Sequence, residues 1–166
     1  MRWSWIFSVL LLFAGPVGAQ SLEEHLKSAA GAYERKDFAT AIAVWRPLAE
    51  QGNAEAETLL GAMYWRGEGV PRDHAAAANW YLRAAEKGYA RAQNDIGFMY
   101  GFGEGIPPTD NVRAYKWLSL AIANYTGKNQ ERLDQALKDR AAVRVRMTPA
   151  QIADAERQVR EFHANP

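Results

Sequence analysis

The chain has 166 residues, of which 48% are hydrophobic, and its 20 basic and 19 acidic side chains leave a formal net charge of +1. This length fits one domain of ordinary size, and the balanced charge lacks the basic excess typical of nucleic-acid-binding proteins, so we expect no nucleic-acid partner. The chain has no cysteine, which excludes disulfides, cysteine–zinc sites and thiol catalysis.

Residues 1–19 differ from the rest of the chain. Arg2 is followed by the apolar run IFSVLLLFAG and then by small residues, with Ala19 directly before Gln20. A charged start, an apolar middle and a small-residue end are typical of a secretory signal peptide, which we expect to be cleaved near Gln20. An uncleaved anchor or a buried first helix are the alternatives. The expected location is the periplasm, or the medium if the protein is secreted, with only transient membrane contact through the signal peptide.

Two segments of the remaining domain, 20–166, carry nearly the same sequence 36 residues apart. Residues 54–71 and 90–107 are identical at nine of their eighteen positions. After a slip of one residue the match continues, with Asp73 opposite Asp110. A fixed period of this length is the signature of a repeat architecture, and it predicts repeats over 54–89 and 90–125.

A weaker copy precedes these repeats, over 32–53. Asp37 and Ala41 lie 36 residues before Asp73 and Ala77, but the glycine-rich turn is missing from this copy. Terminal units of a solenoid are atypical because one of their faces meets water. We therefore expect a degenerate first repeat.

Each repeat is predicted to be a pair of antiparallel helices. Ala56 and Leu60 recur at helical spacing in the first helix, and Ala77, Trp80 and Ala84 do so in the second. The tryptophan is expected to pack in the core, although a ligand-stacking platform is the alternative. One hairpin cannot bury enough apolar surface alone, so the hairpins must stack. The predicted fold class is all-α, an α/α solenoid of stacked antiparallel helix hairpins.

The repeated stretches MYWRGEGVP and MYGFGEGIP allow two interpretations. A phosphate-binding loop would need a preceding strand and a different glycine spacing, so a turn between helices is favoured. Gly67 would end the first helix in a left-handed conformation, Gly69 would allow a second unusual dihedral angle, and Asp73 would cap the next helix. The residues expected to build the repeats are Gly61, Tyr64, Gly67, Gly69, Asp73 and Trp80 in one copy and Gly97, Tyr100, Gly103, Gly105, Asp110 and Trp117 in the other.

The tail, 128–166, is predicted to form capping helices. Its first helix has an apolar stripe formed by Leu133, Ala136 or Leu137, and Val143. Thr148 and Gln151 then form a capping-box pattern at the start of the last helix. The two helices are expected to close the open end of the stack.

The repeated pattern A-x-A-x-x-x-(L/I)-G-x-M-Y-x-x-G-x-G-(V/I)-P, followed by Asp, Ala, Trp and Ala in the second helix, resembles the Sel1-like repeat (SLR) family, which is related to the tetratricopeptide repeats. The resemblance covers about 32–125. It implies an α/α solenoid that acts as an adaptor for other proteins, as periplasmic regulators, envelope assembly factors and host-protein binders of this family do. One branch is cysteine-rich and linked to penicillin binding, and this chain departs from that branch because it has no cysteine.

We therefore expect a non-enzymatic scaffold of the bacterial envelope that binds a protein partner and needs no cofactor. An enzyme acting on cell-wall or β-lactam substrates and a structural subunit of an envelope complex are the alternatives. No catalytic, cofactor-binding or metal-binding residue is assigned. His25, His74 and His163 lack metal-ligand spacing and are interpreted as surface residues. Glu55 and Glu57 are interpreted as partners of a helix dipole rather than as an acid–base pair.

Five residues are candidates for partner binding. Trp65, Arg66 and Phe102 occupy positions that vary between the repeats, and exposed aromatic and arginine side chains are common interface anchors. Local packing onto the next loop is the alternative for these three. Arg140 and Arg144 share a helix face within a basic stretch, where an acidic partner, an anionic envelope surface or a simply solvated helix face are all open.

Overall fold

The computed structural model describes residues 22–103, 109–127 and 129–164, and these segments contain eight α-helices and no strand. The helices are α1 (Leu22–Glu34), α2 (Phe38–Glu50), α3 (Ala54–Arg66), α4 (His74–Glu86), α5 (Ala90–Phe102), α6 (Asn111–Asn124), α7 (Gln130–Arg144) and α8 (Pro149–Ala164). The predicted signal peptide and Gly105 lie outside the described residues. Within the described part, no helix combines the length and apolarity needed to cross a bilayer.

The helices form stacked antiparallel hairpins, as predicted. Helices α1 and α2, α3 and α4, and α5 and α6 pack as pairs, and successive pairs meet through α2 with α3 and α4 with α5. The last two helices depart from this pattern. Helix α7 packs on α5 and α6, and α8 packs on α6, so both helices contact the last hairpin rather than forming a further one with each other.

Aspartates start the second helix of each hairpin. The side chains of Asp37, Asp73 and Asp110 each accept a hydrogen bond from the backbone amide three residues later. Such a side chain satisfies an amide that has no partner within its helix. The last helix starts with the predicted capping box, in which the Gln151 amide donates to Thr148 Oγ1 and the Thr148 amide donates to Gln151 Oε1.

Left-handed glycines end the first helix of each full repeat. Gly67 and Gly103 have φ angles of 72° and 71°, and their amides donate to the carbonyls of Met63 and Met99. Residues with a Cβ rarely adopt this conformation, which is why glycine recurs here. The glycine-rich motif is therefore a helix-ending turn in the part of it that the structure describes.

A second backbone bond closes each turn. The amide of Asp73 donates to the Tyr64 carbonyl at 2.9 Å, and the amide of Asp110 donates to the Tyr100 carbonyl at the same distance. The repeated aspartate thus caps the following helix with its side chain and holds the preceding helix with its amide. The side-chain cap explains why both repeats have an aspartate here, whereas the backbone bond closes the turn without depending on the tyrosine side chain.

Close helix packing accounts for other repeated glycines. A Cβ at Gly61 would lie 2.8 Å from the ring of Tyr81, and a Cβ at Gly97 would lie 2.8 Å from Leu118 Cγ. In each repeat, a large side chain of the second helix rests on a glycine of the first helix. Gly69 similarly approaches the side chains of α2 too closely for a Cβ.

The core consists of two clusters. One joins α1, α2 and α3 around buried Trp45 and includes half-buried Trp80, and the other joins α3 to α8 around buried Trp117. The repeated tryptophan therefore packs against the core in both repeats. The stripe predicted for α7 is confirmed at Ala136 and Val143, which are buried, and at half-buried Leu133, whereas Leu137 is 40% exposed.

A charged pair ties the first full repeat together. Glu57 is completely buried, and both of its carboxylate oxygens accept hydrogen bonds from Lys87 Nζ at 2.7 Å. Arg83 Nε lies 3.0 Å from the same carboxylate, and Lys87 also donates to the Gly52 carbonyl. Glu57 lies in the first turn of α3, where its interpretation as a dipole partner places it, and its buried carboxylate is paired with Lys87 and Arg83 as well. We call Glu57 and Lys87 the charged latch.

An uncharged pair occupies the same place in the next repeat. Gln93 is completely buried, and Asn124 Nδ2 donates to Gln93 Oε1 at 3.0 Å and to the Gly88 carbonyl at 3.2 Å. Gln93 Nε2 in turn donates to the Ala85 carbonyl. We call Gln93 and Asn124 the amide latch. Both latches join the first helix of a repeat to the end of its second helix and to the loop before the repeat.

Candidate functional site

A cavity of about 360 Å³ opens between α3, α5 and α7, over Tyr81 of α4. We call it the α3–α5–α7 cleft. The residues that define its walls are Trp65 and Arg66 of α3, Arg91, Asp95 and Phe98 of α5, and Arg132 of α7.

Trp65 shapes one side of the cleft. Its indole stacks on the imidazole of His74, with ring centroids 4.5 Å apart and an angle of 18° between the planes. The equivalent residue of the next repeat is Gly101, where a Cβ would lie 2.8 Å from Val143 of α7. The small residue lets α7 pack directly on α5, whereas the indole fills the space between α3 and α5. His74, interpreted as a surface histidine, is half-buried in this stack.

Arg66 is held at the cleft by the preceding hairpin. Its Nη1 donates to the hydroxyl of Tyr33 in α1 at 2.8 Å and lies 3.7 Å from the carboxylate of Glu68. The Tyr33 hydroxyl donates to Glu68, and burial together with this bond raises the pKa of the tyrosine. The repeated glutamate of the turn therefore positions a cleft arginine.

One face of α5 lines the cleft with polar groups. Arg91, Asn94, Asp95 and Phe98 are spaced three, four and seven residues from the first, so they share one helix face. Arg91 Nε and Asn94 Oδ1 are buried, and neither has a hydrogen-bond partner among the described residues. Most buried polar atoms in native proteins are hydrogen-bonded to protein or to water, so these two atoms of the cleft can bind a ligand or water.

Three arginines surround the carboxylate of Asp95. Burial raises the pKa of Asp95, while the positive charges of Arg91, Arg132 and Arg66 act to lower it. Arg91 Nε is 3.9 Å from Asp95 Oδ2. Since Arg66 also pairs with Glu68, the half-buried carboxylate of Asp95 is left with Arg91 and Arg132, which gives an excess of positive charge at this point of the cleft.

The far end of the cleft is formed by α7. Asp139 is buried, and its Oδ1 accepts a hydrogen bond from Gln135 Nε2 at 2.8 Å. Desolvation raises the pKa of this carboxyl group. The negative charge at this end is therefore weakly solvated and already engaged by a neighbour.

A second cavity, of about 380 Å³, shares Arg91 and Arg132 with the cleft and lies at the start of α5. Tyr89 occupies the cap position of α5 and makes no side-chain cap, whereas Asn53 caps α3 at the equivalent position. Burial raises the pKa of Tyr125 beside it to about 12, so this phenol keeps its proton. The uncapped amides of α5 add positive potential next to the two arginines.

The structure brings three of the partner-binding candidates, Trp65, Arg66 and Phe102, to one region. Trp65 and Arg66 line the cleft. Phe102 is 37% exposed and stacks on Phe98 of the cleft wall at 4.7 Å, so it extends that wall outwards. Arg146 covers the outer face of Phe102, with its guanidinium 5.2 Å from the ring.

Arg140 and Arg144 lie away from this region. The Arg140 guanidinium stands 5.7 Å from the ring of Tyr115 and its Nη1 is 3.5 Å from Ser119 Oγ, and both partners belong to α6. Arg144 is exposed near the end of α7. These two residues are therefore not part of the cleft.

Sequence reasoning missed the polar residues of the cleft, namely Arg91, Asn94, Asp95 and Arg132. One signal was available, because a variable position of the first helix changes from Leu59 to Asp95 between the repeats. The repeat fold itself does not require a carboxylate at this position, since the other repeat has leucine there. In the described segments, no three His, Asp or Glu side chains lie close enough to hold a metal ion.

Comparison with known proteins agrees with the repeats and with the helical fold. The family model for the Sel1 repeat matches residues 54–89 and 90–125. A solved protective antigen present in uropathogenic Escherichia coli strains, with an SLR fold, superposes with a TM-score of 0.73 at 24% identity, over 86% of this chain and 30% of the antigen. A Sel1 repeat protein from Oxalobacter formigenes gives a TM-score of 0.58 at 27% identity, over 71% of this chain and 55% of that protein.

This chain thus spans less than two thirds of either solved relative. A search of curated proteins found no match. The family match covers the two central hairpins, and the solved relatives share the arrangement of the stacked helices. The chain therefore contains two Sel1 repeats, within an all-α solenoid fold.

Proposed function

We propose that this protein is an exported, non-enzymatic adaptor of the bacterial envelope that binds a segment of a partner protein in the α3–α5–α7 cleft. Sel1 repeat proteins generally act as protein-interaction scaffolds. The observation that carries the proposal is the cleft itself, where the rings of Trp65 and Phe98 stand beside the unpaired polar atoms of Arg91 and Asn94. Protein-binding sites combine such apolar anchors with a few polar groups that fix orientation.

Site-specific photocrosslinking tests the binding site. The photoreactive residue p-benzoylphenylalanine replaces Phe98 in the cleft or, as a control, Val145, which is 85% exposed at the end of α7. We expect a discrete crosslinked protein from position 98 and none from position 145. Equal crosslinking from both positions, or none from position 98, would contradict a partner in the cleft.

Alanine substitution tests the side chains. Changing Trp65, Arg66 and Phe102 together to alanine should remove the crosslinked partner while the helical circular dichroism stays unchanged. The matched control changes Arg140 and Arg144 to alanine and should keep the partner.

If an acylating active-site probe labels the protein, the enzyme alternative replaces the adaptor. A partner that stays bound in fixed stoichiometry without crosslinker would instead indicate a structural subunit.

Export is supported by the signal-like pattern of residues 1–19. The test is N-terminal sequencing of protein from the periplasmic fraction of a bacterial host that expresses the full chain. We expect the mature protein to start near Gln20. A start at Met1, or protein found only in the cytoplasm, would contradict export.

A further inference from the structure

We propose that the α3–α5–α7 cleft recognises an extended peptide segment in which an acidic side chain lies next to an apolar one. The carboxylate would lie between Arg91 and Arg132, and the apolar side chain would contact Trp65 and Phe98. This inference rests on the proposed function and names the chemistry of the partner.

The charge of the cleft favours an acidic ligand. Arg66, Arg91 and Arg132 come from three different helices, and all three act electrostatically on one carboxylate, that of Asp95. Because Arg66 is already paired with Glu68, the single carboxylate of Asp95 faces the two guanidinium groups of Arg91 and Arg132 and cannot balance both. A second carboxylate placed between Arg91 and Arg132 would reduce this imbalance, and arginine is well suited to bind it because its donors match the carboxylate oxygens.

The unpaired atoms specify a peptide rather than a simple anion. Arg91 Nε is a donor without a partner among the described residues, and Asn94 Oδ1 is an acceptor in the same condition. An inorganic anion without a proton, such as sulfate or chloride, could accept from the arginine but has no donor for the asparagine. A peptide offers both groups, because its acidic side chain accepts from Arg91 and a backbone N–H donates to Asn94.

The aromatic walls account for the apolar neighbour. Trp65 is held by its stack on His74, and Phe98 is held by its stack on Phe102. Rings that are already ordered lose little side-chain entropy when a ligand binds them. Because both rings border the same cavity as Arg91, adjacent residues of one extended segment can reach the charged and the apolar surfaces together.

Selection from a phage library of random peptides tests the inference, with the protein purified from a host that expresses the full chain. We expect the wild-type protein to enrich peptides that contain Asp or Glu next to an aromatic or aliphatic residue. In a selected peptide, replacing the acidic residue by its amide should weaken binding about 10- to 100-fold, as expected for a hydrogen bond between charged groups. Free and amidated C-termini should bind equally.

The matched variants separate the cleft from general positive charge. Arg91→Gln with Arg132→Gln should lose the acidic preference, whereas Arg140→Gln with Arg144→Gln removes the same charge outside the cleft and should keep it. Circular dichroism checks that each variant is folded. As a second variant, Arg132→Glu changes an exposed position and should shift the selection towards Lys and Arg.

In the selection, peptides without acidic enrichment, or binding only by peptides with a free C-terminus, would overturn the inference. In the variants, it would be overturned if the acidic preference survived the two cleft substitutions or was lost equally in the Arg140 and Arg144 control. A crosslinked partner at Phe98 without an acidic consensus would leave the adaptor function in place and overturn this inference alone. Acidic peptides selected without any crosslinked partner would overturn the adaptor function instead.

Discussion

The turn that ends each first helix depends on single residues with defined conformations. Gly67 has a positive φ and its Cα approaches Arg72, where a Cβ would lie 3.0 Å from Arg72 Cβ. This residue was predictable from the sequence because a helix end, a left-handed glycine and a capping aspartate are local features. Asp95 was not predictable, because its surroundings depend on arginines from three helices.

Gly67→Val tests the turn. A β-branched residue strongly resists positive φ, so the free energy of unfolding should fall by more than about 1 kcal/mol. Gly127→Val is the matched control, because a Cβ at Gly127 meets nothing within 4 Å. Thermal and chemical denaturation followed by circular dichroism measure both variants. Equal stability of the two variants would contradict the role of the left-handed cap.

Asp95→Asn tests the electrostatics of the cleft. Burial raises the pKa of Asp95, so the folded state binds the proton more tightly than the unfolded state does. Stability from this group is therefore present at low pH and is lost as the pH rises through the raised pKa. The variant should be more stable than the wild type at pH 7, and the difference should shrink on acidification.

Denaturant titrations at several pH values measure this difference for Asp95→Asn. The control is Glu156→Gln, which neutralises an exposed carboxylate. A stability difference for Asp95→Asn that does not depend on pH, or that matches the control, would show that desolvation does not govern this carboxyl group.

At the scale of helices, the two repeats join their paired helices at equivalent positions with different side chains. The first helix of each repeat is joined to the end of its second helix by the charged latch in one repeat and by the amide latch in the next. The repeat period predicted which helices pair, because it reflects the apolar and small residues on their faces. It did not predict the latches, because polar residues at helix starts are usually exposed. From the sequence alone, Glu57 cannot be distinguished from such an exposed residue.

Lys87→Met measures the charged latch. The substitution keeps most of the side-chain length but removes the donor to the buried Glu57 carboxylate and to the Gly52 carbonyl. We expect a loss of about 1–3 kcal/mol in the free energy of unfolding, since a buried charged group loses a hydrogen bond. Adding Glu57→Gln should restore part of that loss, because the buried charge is then gone.

Arg157→Met is the control for the charged latch. Arg157 makes exposed ion pairs with Asp154 and Glu161 on α8. Exposed pairs of this kind contribute only about 0.5 kcal/mol. A cost for Lys87→Met as small as that for Arg157→Met would mean that the charged latch has no special role.

Across the whole molecule, burial is uneven along the stack. In α1 the buried residues are Ala29 and Ala32, whereas α6 buries Trp117, Leu118 and Leu120 among others. Contacts in a solenoid run only between neighbours, so a terminal helix with little buried surface has little to hold it. The sequence predicted this atypical first hairpin from its missing turn, but the arrangement of α7 and α8 around α6 depends on contacts that no repeat period encodes.

Hydrogen exchange should show this gradient. We expect the amides of α1 to exchange through local opening at a lower free energy than those of α5 and α6, which should exchange near global unfolding. Mass spectrometry of the exchanged protein after proteolysis measures each helix. Equal protection of α1 and α6 would show that the described helices unfold as one cooperative unit.

The difference between the two latches affects which helices can pair during folding. Two similar repeats in one chain can pair with the wrong neighbours during folding, a known failure of repeat proteins. If α3 packed against α6 instead of α4, Asn124 would take the place of Lys87 and Leu120 the place of Arg83. The buried carboxylate of Glu57 would then have no cation beside it. The free energy of that mispaired state would be several kcal/mol less favourable, roughly, because its buried charge is uncompensated. The two latches therefore favour the correct neighbours and disfavour exchanged pairings within one molecule or between two.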